Sequence, residues 1–312
     1  MISMNSMIHM VVWSLHILCA GTVSAESIVE LRAAASQGGN YQTPTREELR
    51  KAEELFKRTL RQAPRLSSAK SQSRLLLCVG AYGHTPLLSL QKAWFKLDFE
   101  LLSVREGDED FLVLKEIEGY KTGRGFYVFR TGQATAITLQ APHSSNDLYT
   151  GEIVLHLFQE DRAVAGAWNT VPRSKADLTH LSESYFQSFA LAFAQIYPNG
   201  VVLQLHGFKQ DKRKSRSGAE ADMIISGGTK HPATWLLQTA ECLKRSIAGV
   251  VRLYPQDVRD LGAATNKNAQ ALRGIGYDGF MHVEMSAALR MRMRDDQATR
   301  QAFLKCLPED RL

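Results

Sequence analysis

The sequence predicts an α/β protein with three layers, in which a mixed, largely parallel sheet carries helices on both faces and follows a short helical segment. Two observations support this prediction. In the second half of the chain, short apolar runs alternate with amphipathic stretches of helical length. Such alternation is typical of parallel sheets covered by helices. Two earlier runs joined by a short turn indicate that an antiparallel pair extends the sheet.

The N-terminus has the features of an export signal. An apolar run over 10–25 ends in the small-residue motif VSA, which predicts cleavage before Glu26. The run is too short for a good transmembrane span, so we expect a periplasmic or secreted protein without a stable membrane anchor. Because residues 1–9 contain no Lys or Arg, an uncleaved membrane tether is the alternative.

With residues 1–25 as the signal peptide, residues 26–74 are predicted to be a helical segment and linker, and residues 75–312 the catalytic domain. In the segment, Thr45 and Glu48 form a capping box at the start of an amphipathic helix that Pro64 ends. A stretch rich in Ser and Lys follows as the linker. We expect the helix to pack on the main domain.

Strands and helices are predicted in turn along the domain. The turn RTGQ separates the second and third predicted strands, which we therefore expect to pair antiparallel. The predicted strands are 110–117, 125–129, 134–140, 163–168, 201–206, 250–254 and 280–285. Two predicted helices span about 150–160 and 182–197, and a third begins at Pro232.

The composition and the distribution of charge argue against a nucleic-acid-binding protein. The chain has 312 residues, of which 44% are hydrophobic, and a formal net charge of +6. The positive charge is dispersed, which argues against nucleic acid as a partner. Its densest run, KQDKRKSRS at 209–217, is either a solvated loop or a contact with an anionic partner.

Three cysteines remain once the predicted signal is removed, namely Cys78, Cys242 and Cys306. No CxxC motif occurs, so a structural zinc site built on cysteines is not expected. Three cysteines allow at most one internal disulfide. The sequence favours buried, inert thiols and does not decide the pairing.

Histidines and carboxylates follow several predicted strands. His143 and Asp147 come just after the third predicted strand, and His206 ends the strand at 201–206. On the last strand, side-chain alternation places Glu284 on the same face as His282. Ligands of open α/β sheets bind beyond the carboxyl ends of the strands, so we expect these side chains to share one site.

A divalent metal explains two imidazoles and a carboxylate arriving from separate loops. Neutral imidazole and carboxylate are good zinc ligands, and three protein ligands leave a position open for water. Zinc lowers the pKa of such a water to ~7 and polarises a carbonyl. A nearby carboxylate can then carry a proton to the leaving nitrogen. Each group alone has a structural explanation, and the prediction of one zinc ion depends on their convergence.

The motifs APHSSNDLYTGE, ADLTH, VVLQLHGF and HVEMSAALR resemble the motif series of the N-formylglutamate amidohydrolase-like proteins. These zinc-dependent amide hydrolases are related in fold to zinc carboxypeptidases and poly-γ-glutamate hydrolases. The resemblance covers residues 134–288, roughly half of the chain. It implies that His143, Asp147 and His206 bind zinc and that Glu284 is the general base.

The third zinc ligand has an alternative. The spacing from His143 to Asp147 differs from the HxxE motif of the carboxypeptidases, so Glu152 is a second candidate. The alternative role for Glu152 is that of an acid that stabilises a helix N-terminus.

Other polar residues are candidates around the site. Asp177 and His180 could orient a ligating imidazole or act as an acid–base pair, and Asp177 could instead cap a helix. Arg173 could bind a substrate carboxylate or be an ordinary surface residue. His231 is a further candidate ligand or a residue at a helix start. Candidates for lining the pocket are Asn266, Asn268 and Arg273.

Two classes of function follow. The first is an exported zinc hydrolase that cleaves an amide bond in an acyl-amino acid, a peptide or a cell-wall peptide. The second is an exported binding or assembly protein that keeps the fold with a vestigial site. Bound metal after purification discriminates between them, because the first class requires it.

Overall fold

The computed structural model describes residues 23–24, 26–37, 39–66 and 86–308, which contain one sheet of ten strands. The strands are β1 (Val23–Ser24), β2 (Phe99–Glu106), β3 (Glu109–Glu116), β4 (Phe126–Arg130), β5 (Thr135–Ala141), β6 (Ala163–Trp168), β7 (Val201–Gly207), β8 (Met223–Ser226), β9 (Val251–Leu253) and β10 (Phe280–Met285).

The centre of the sheet is parallel. Its strand order is β1-β2-β3-β4-β6-β5-β7-β10-β8-β9. The strands β6, β5, β7 and β10 run parallel to one another, whereas β2, β3 and β4 on one side and β8 on the other pair antiparallel. The central strands are buried on both faces, as expected of parallel strands between two helical layers.

Helices cover both faces of the sheet, which confirms the predicted fold class. The helices are α1 (Ile28–Ala35), α2 (Arg46–Gln62), α3 (Pro86–Phe95), α4 (Thr150–Glu160), α5 (Tyr185–Ile196), α6 (Arg216–Ala219), α7 (Thr234–Ser246), α8 (Lys267–Gly274), α9 (Ala287–Asp295) and α10 (Gln297–Leu304). One core cluster packs α1, α4, α7, α9 and α10 against the sheet, and the other packs α2, α3, α5 and α8 against the opposite face.

β4 and β5 run in opposite directions, as predicted, but they do not pair as a hairpin. The chain leaves β5 through α4 and returns as β6, which lies between β4 and β5. Arg130 at the end of β4 explains part of this arrangement, because its buried guanidinium donates to Asp161 O at 2.8 Å and to Ala163 O at 3.3 Å. These bonds tie the end of β4 to the start of β6. A short turn therefore joins two strands that are not neighbours.

The N-terminal helix α2 packs on the main domain. Thr45 and Glu48 form the predicted capping box, and Glu48 also binds Arg124 at 3.1 Å. On the same layer, Trp94 donates from Nε1 to Thr59 at 3.0 Å. The proposed linker and all of the export signal except Val23–Ser24 lie outside the described residues. None of the described helices is long and apolar enough to cross a membrane.

The expectation of unpaired thiols is wrong for two cysteines. Cys242 on α7 and Cys306 after α10 form a disulfide with their Cα atoms 5.5 Å apart. The bond joins two helices on the same face of the sheet, a contact between segments 64 residues apart that the spacing of cysteines does not reveal. Cys78 lies outside the described residues.

Candidate metal centre

Three adjacent parallel strands deliver the predicted site residues to one edge of the sheet. His143 follows the end of β5, His206 lies near the end of β7, and Glu284 lies near the end of β10. In the register of β7 and β10, Glu284 stands directly opposite His206. The parallel order of these strands therefore brings together side chains from distant parts of the sequence, as predicted for the carboxyl edge of such a sheet.

His143, Asp147 and His206 form a compact group of possible metal ligands. Asp147 Oδ2 lies 3.3 Å from His143 Nδ1 and 3.4 Å from His206 Nδ1. In a tetrahedral site with bonds of about 2.0–2.1 Å, ligand atoms lie about 3.3–3.4 Å apart. These two distances fit bonds from Asp147 and each imidazole to one zinc ion. All three donors lie within 4.8 Å of one another, as do those of a second group, His206, His282 and Glu284.

Asp177 holds the second nitrogen of His143. The distance from His143 Nε2 to Asp177 Oδ1 is 2.9 Å, and Asp177 also accepts from Thr179 Oγ1 at 2.7 Å and from Arg173 Nε at 2.7 Å. This is the geometry of a carboxylate that fixes the orientation of a ligating imidazole through its other nitrogen. Arg173 is thus engaged by Asp177 within the protein.

The carboxylate of Asp147 is held ionised. Burial opposes this, but hydrogen bonds with His143 and His206 and the charges of the two imidazoles keep the pKa of Asp147 well below its ordinary value. Gly207 N also donates to Asp147 Oδ2 at 3.1 Å. Burial lowers the pKa of His206, which favours its neutral form. Burial opposes protonation of His143 as well, but hydrogen bonds with Asp147 and Asp177 raise its pKa, so a metal that binds here would displace a proton from this imidazole.

The side of the site formed by His206, His282 and Glu284 contains polar atoms without partners among the described residues. Within the described part of the chain, the buried atoms His206 Nε2, His282 Nδ1 and Glu284 Oε2 have no hydrogen-bond partner. His282 and Glu284 approach each other at 3.7 Å, and the imidazoles of His206 and His282 lie 4.5 Å apart between ring centres. Burial and the nearby charge of Asp147 raise the pKa of Glu284 to about 8. A carboxyl group with this pKa can both accept and release a proton near neutral pH.

An open pocket of about 500 Å³ lies over these groups. His143, Asp147, His206, His282 and Glu284 form its polar floor. Most of the charged side chains on the rim of the pocket are basic, and the loop after β7 supplies most of these basic side chains. The basic side chains that line the rim are Arg173, Lys209, Lys212 and Arg213.

Two of the alternative ligands lie away from the pocket. Glu152 is exposed in the first turn of α4, where its charge faces Arg32. His231 is exposed before α7 and does not line the pocket. The structure therefore brings Asp147 and not Glu152 to the two imidazoles. Glu152 occupies the position that stabilises a helix N-terminus.

Of the remaining candidate residues, two line the pocket and two lie outside it. His180 is exposed on the pocket rim. Asn266 lines the pocket, caps α8 and donates to Gln204 at 2.9 Å. Asn268 is buried and donates to Leu178 O at 3.3 Å, and Arg273 donates to Gly228 O at 2.7 Å. Neither of these last two side chains lines the pocket.

Sequence reasoning missed three supporting residues. Thr179 and Gly207 bind the two carboxylates beside the imidazoles, and Arg290 packs beneath Gly207. Their bonds depend on backbone positions that a single sequence does not display. His282 was not missed, because strand alternation placed it on the face of Glu284, and it lines the pocket.

The fold and the site together define a candidate metal centre at the edge of an α/β sheet. Solved structures similar to this chain include a zinc-free form of YndL, with 13% identity over 58% of this chain and 90% of the other and a TM-score of 0.37. The N-formylglutamate amidohydrolase from Ralstonia eutropha JMP134 shares 11% identity over 56% and 92%, with a TM-score of 0.39. A bacteriophage poly-γ-glutamate hydrolase shares 11% identity over 56% and 82%, with a TM-score of 0.35.

No family model matches the chain, and no curated protein matches it in sequence. Overlaps of this low identity and TM-score carry no argument about chemistry. Functional inference therefore depends on the geometry of the site.

Proposed function

We propose that this protein is a zinc-dependent hydrolase of amide bonds. The observation that carries the proposal is the pair of distances, 3.3 and 3.4 Å, from Asp147 Oδ2 to the Nδ1 atoms of His143 and His206. These three side chains would hold the ion on the floor of the open pocket. Zinc, when bound, supplies a Lewis acid for the amide carbonyl and acidifies a water molecule.

Glu284 is the proposed general base. Its carboxyl group lies on the pocket floor opposite His206, and Oε2 is free to take a proton from water. Once protonated, the same group can release the proton to the nitrogen that leaves the cleaved amide. In the metal-free protein the pKa of Glu284 is raised to about 8, and a cation bound nearby would lower it toward values at which the carboxylate accepts a proton at neutral pH.

Asp177 and Arg173 have supporting roles in this proposal. Asp177 keeps His143 Nδ1 turned toward the ion by holding Nε2. Because Arg173 is engaged by Asp177, Arg213 is better placed to bind a negative group of the substrate. Arg213 is itself held by Lys209 O at 3.1 Å and lies over the ring of Phe208. His180 remains a candidate for contact with the substrate at the rim.

The basic rim favours an acyl-amino acid or peptide that carries a carboxylate. N-formyl-L-glutamate and poly-γ-glutamate, the substrates in the names of two similar structures, are therefore the first compounds to test. Hydrolysis is measured as newly released amine, before and after removal of metal with a chelator and after return of zinc.

The proposed enzyme holds about one zinc ion and loses its activity with the ion. A protein that holds no zinc, or that hydrolyses amides equally well without it, contradicts the proposal. A protein that holds zinc but cleaves no acyl-amino acid or peptide is the exported binding protein that forms the alternative class.

We also propose that the protein is exported to the periplasm or secreted. The disulfide between Cys242 and Cys306 supports this, because disulfides persist in oxidising compartments. Intact-mass measurement of the protein from its native cell compartment tests the proposal. The expected N-terminus is Glu26, so the mature protein would lack the two-residue edge strand β1. A cytoplasmic protein that retains Met1 contradicts the proposal.

A further inference from the structure

Arg290 on α9 lies directly beneath the strand ends that carry the site. The residue is 7% exposed, and its Nη1 atom donates to Met285 O at 2.6 Å and to Phe208 O at 3.4 Å. Met285 is the last residue of β10, and Phe208 follows the last residue of β7. One guanidinium group therefore bonds both strands, each within two residues of a side chain on the pocket floor.

Gly207 provides the space for this contact. A Cβ atom at Gly207 would lie 2.6 Å from Arg290 Cζ, well inside any ordinary contact distance. The flat face of the guanidinium thus rests against the backbone of Gly207. The same residue donates its N–H to Asp147 Oδ2 at 3.1 Å. A displacement of the guanidinium would be transmitted through this backbone to the carboxylate that joins the two imidazoles.

The ends of β7 and β10 are joined by a backbone hydrogen bond even without Arg290. Phe208 N already donates to Met285 O at 3.0 Å. A buried guanidinium is costly unless its donors are satisfied, and Arg290 Nε has no partner within the described residues. An apolar side chain could fill this space at lower cost. Burial lowers the pKa of Arg290, and the ionised carboxylate of Asp147 opposes this shift by stabilising the guanidinium charge.

We propose that Arg290 is a positioning residue that fixes the ends of β7 and β10 relative to each other, and that Gly207 is glycine because the guanidinium occupies the space of a side chain. Through these contacts Arg290 sets the separation between the donors Asp147 and His206 and the base Glu284. This inference rests on the proposed function, since it concerns the same zinc site.

Arg300 provides a matched control. It is 6% exposed, pairs with Glu160 at 2.8 Å, and donates to Met293 O at 3.0 Å and to Arg294 O at 2.7 Å. It is thus a second buried arginine that bonds backbone carbonyls, but neither it nor any of these partners lines the pocket. Lysine at either position keeps the charge and loses the planar fork.

The experiment compares Arg290→Lys with Arg300→Lys in the full chain. The midpoint temperature of thermal unfolding should fall by a similar amount in both variants. Zinc affinity, measured by titration of metal-free protein with zinc chloride against a competing chelator, should fall about 10–100-fold only in Arg290→Lys. On an amide that the wild type cleaves, kcat should fall in Arg290→Lys with KM little changed. If both variants bind zinc as the wild type does, the inference is wrong.

A double-mutant cycle covers the case in which Arg290→Lys does not fold. Gly207→Ala should weaken zinc binding in the wild-type background and should weaken it less in Arg290→Ala, where the methyl group has room. Additive effects overturn the inference. A wild type that binds no zinc overturns the proposed function and this inference with it, whereas zinc binding that does not respond to Arg290 overturns the inference alone.

Discussion

The two sides of the pocket floor differ in how their polar atoms are bonded. On one side, His143 has a partner at each nitrogen, with Asp147 at 3.3 Å and Asp177 at 2.9 Å. On the other side, His206 Nε2, His282 Nδ1 and Glu284 Oε2 are buried without a partner among the described residues. One half of the site is therefore bonded within the protein, and the other half has unused donors and acceptors.

This difference indicates a division of work. A buried polar atom without a partner lowers stability. Such atoms also occur elsewhere among the described residues, but here three of them are grouped at one pocket, where a ligand or a reaction could use them. The bonded half has the properties of a rigid holder for an ion, because Asp177 orients His143 and the Gly207 N–H group binds Asp147. The open half, with Glu284 at its centre, has the properties of the part that meets water and substrate.

Loss of a ligating imidazole should have the largest effect. We expect His143→Ala and His206→Ala each to abolish binding of about one zinc ion and to reduce hydrolysis to the background rate. Elemental analysis of the purified proteins measures the metal. His156→Ala is the control, because His156 lies within α4 outside the pocket and should leave zinc unchanged. Full zinc content in both ligand variants contradicts the assignment.

Glu284→Gln should separate metal binding from catalysis. The amide keeps the size of the side chain and removes its basicity, so zinc should remain while kcat falls by at least ~100-fold. Zinc content and kcat are measured on the same preparation. Loss of zinc in this variant means that Glu284 is a ligand of the ion. Unchanged kcat with zinc present means that the base must be sought at Asp177 or His180.

The fold was more predictable from the sequence than the bonding within the site. Strand–helix alternation determines a layered parallel sheet, and His143, His206 and Glu284 follow from the rule that ligands meet at the carboxyl edge. The order of β4, β6 and β5 was not predictable, because a four-residue turn is compatible with a hairpin and with a crossover. The choice of Asp147 over Glu152 was not predictable either, since both residues follow His143 closely in sequence.

Asp177→Asn tests whether the bonded half is a holder. The variant removes the charge that fixes His143 Nε2 and keeps an oxygen that can accept from Thr179. We expect zinc affinity to fall about 10–100-fold, with a smaller change in the kcat of the zinc-saturated protein. Glu152→Gln is the control, because this exposed carboxylate lies outside the pocket. Equal zinc affinity in the two variants would show that Asp177 does not orient His143.

The smallest expected effect concerns the stability of the open half without metal. Burial raises the pKa of Glu284 from 4.5 to about 8, so the folded protein binds this proton more tightly than the unfolded chain does. Stability contributed by the protonated carboxyl is therefore lost as the pH rises from about 4.5 to about 8. Glutamine at this position is neutral at every pH.

Metal-free Glu284→Gln should thus unfold at a higher temperature than the metal-free wild type at pH 9, with a smaller difference at pH 5. Thermal unfolding of both proteins at the two pH values measures the effect, with Glu152→Gln as the variant that should show no such dependence. A difference that does not grow with pH would mean that Glu284 is not held neutral by its surroundings, and the contrast between the bonded and open halves would then lose its energetic basis.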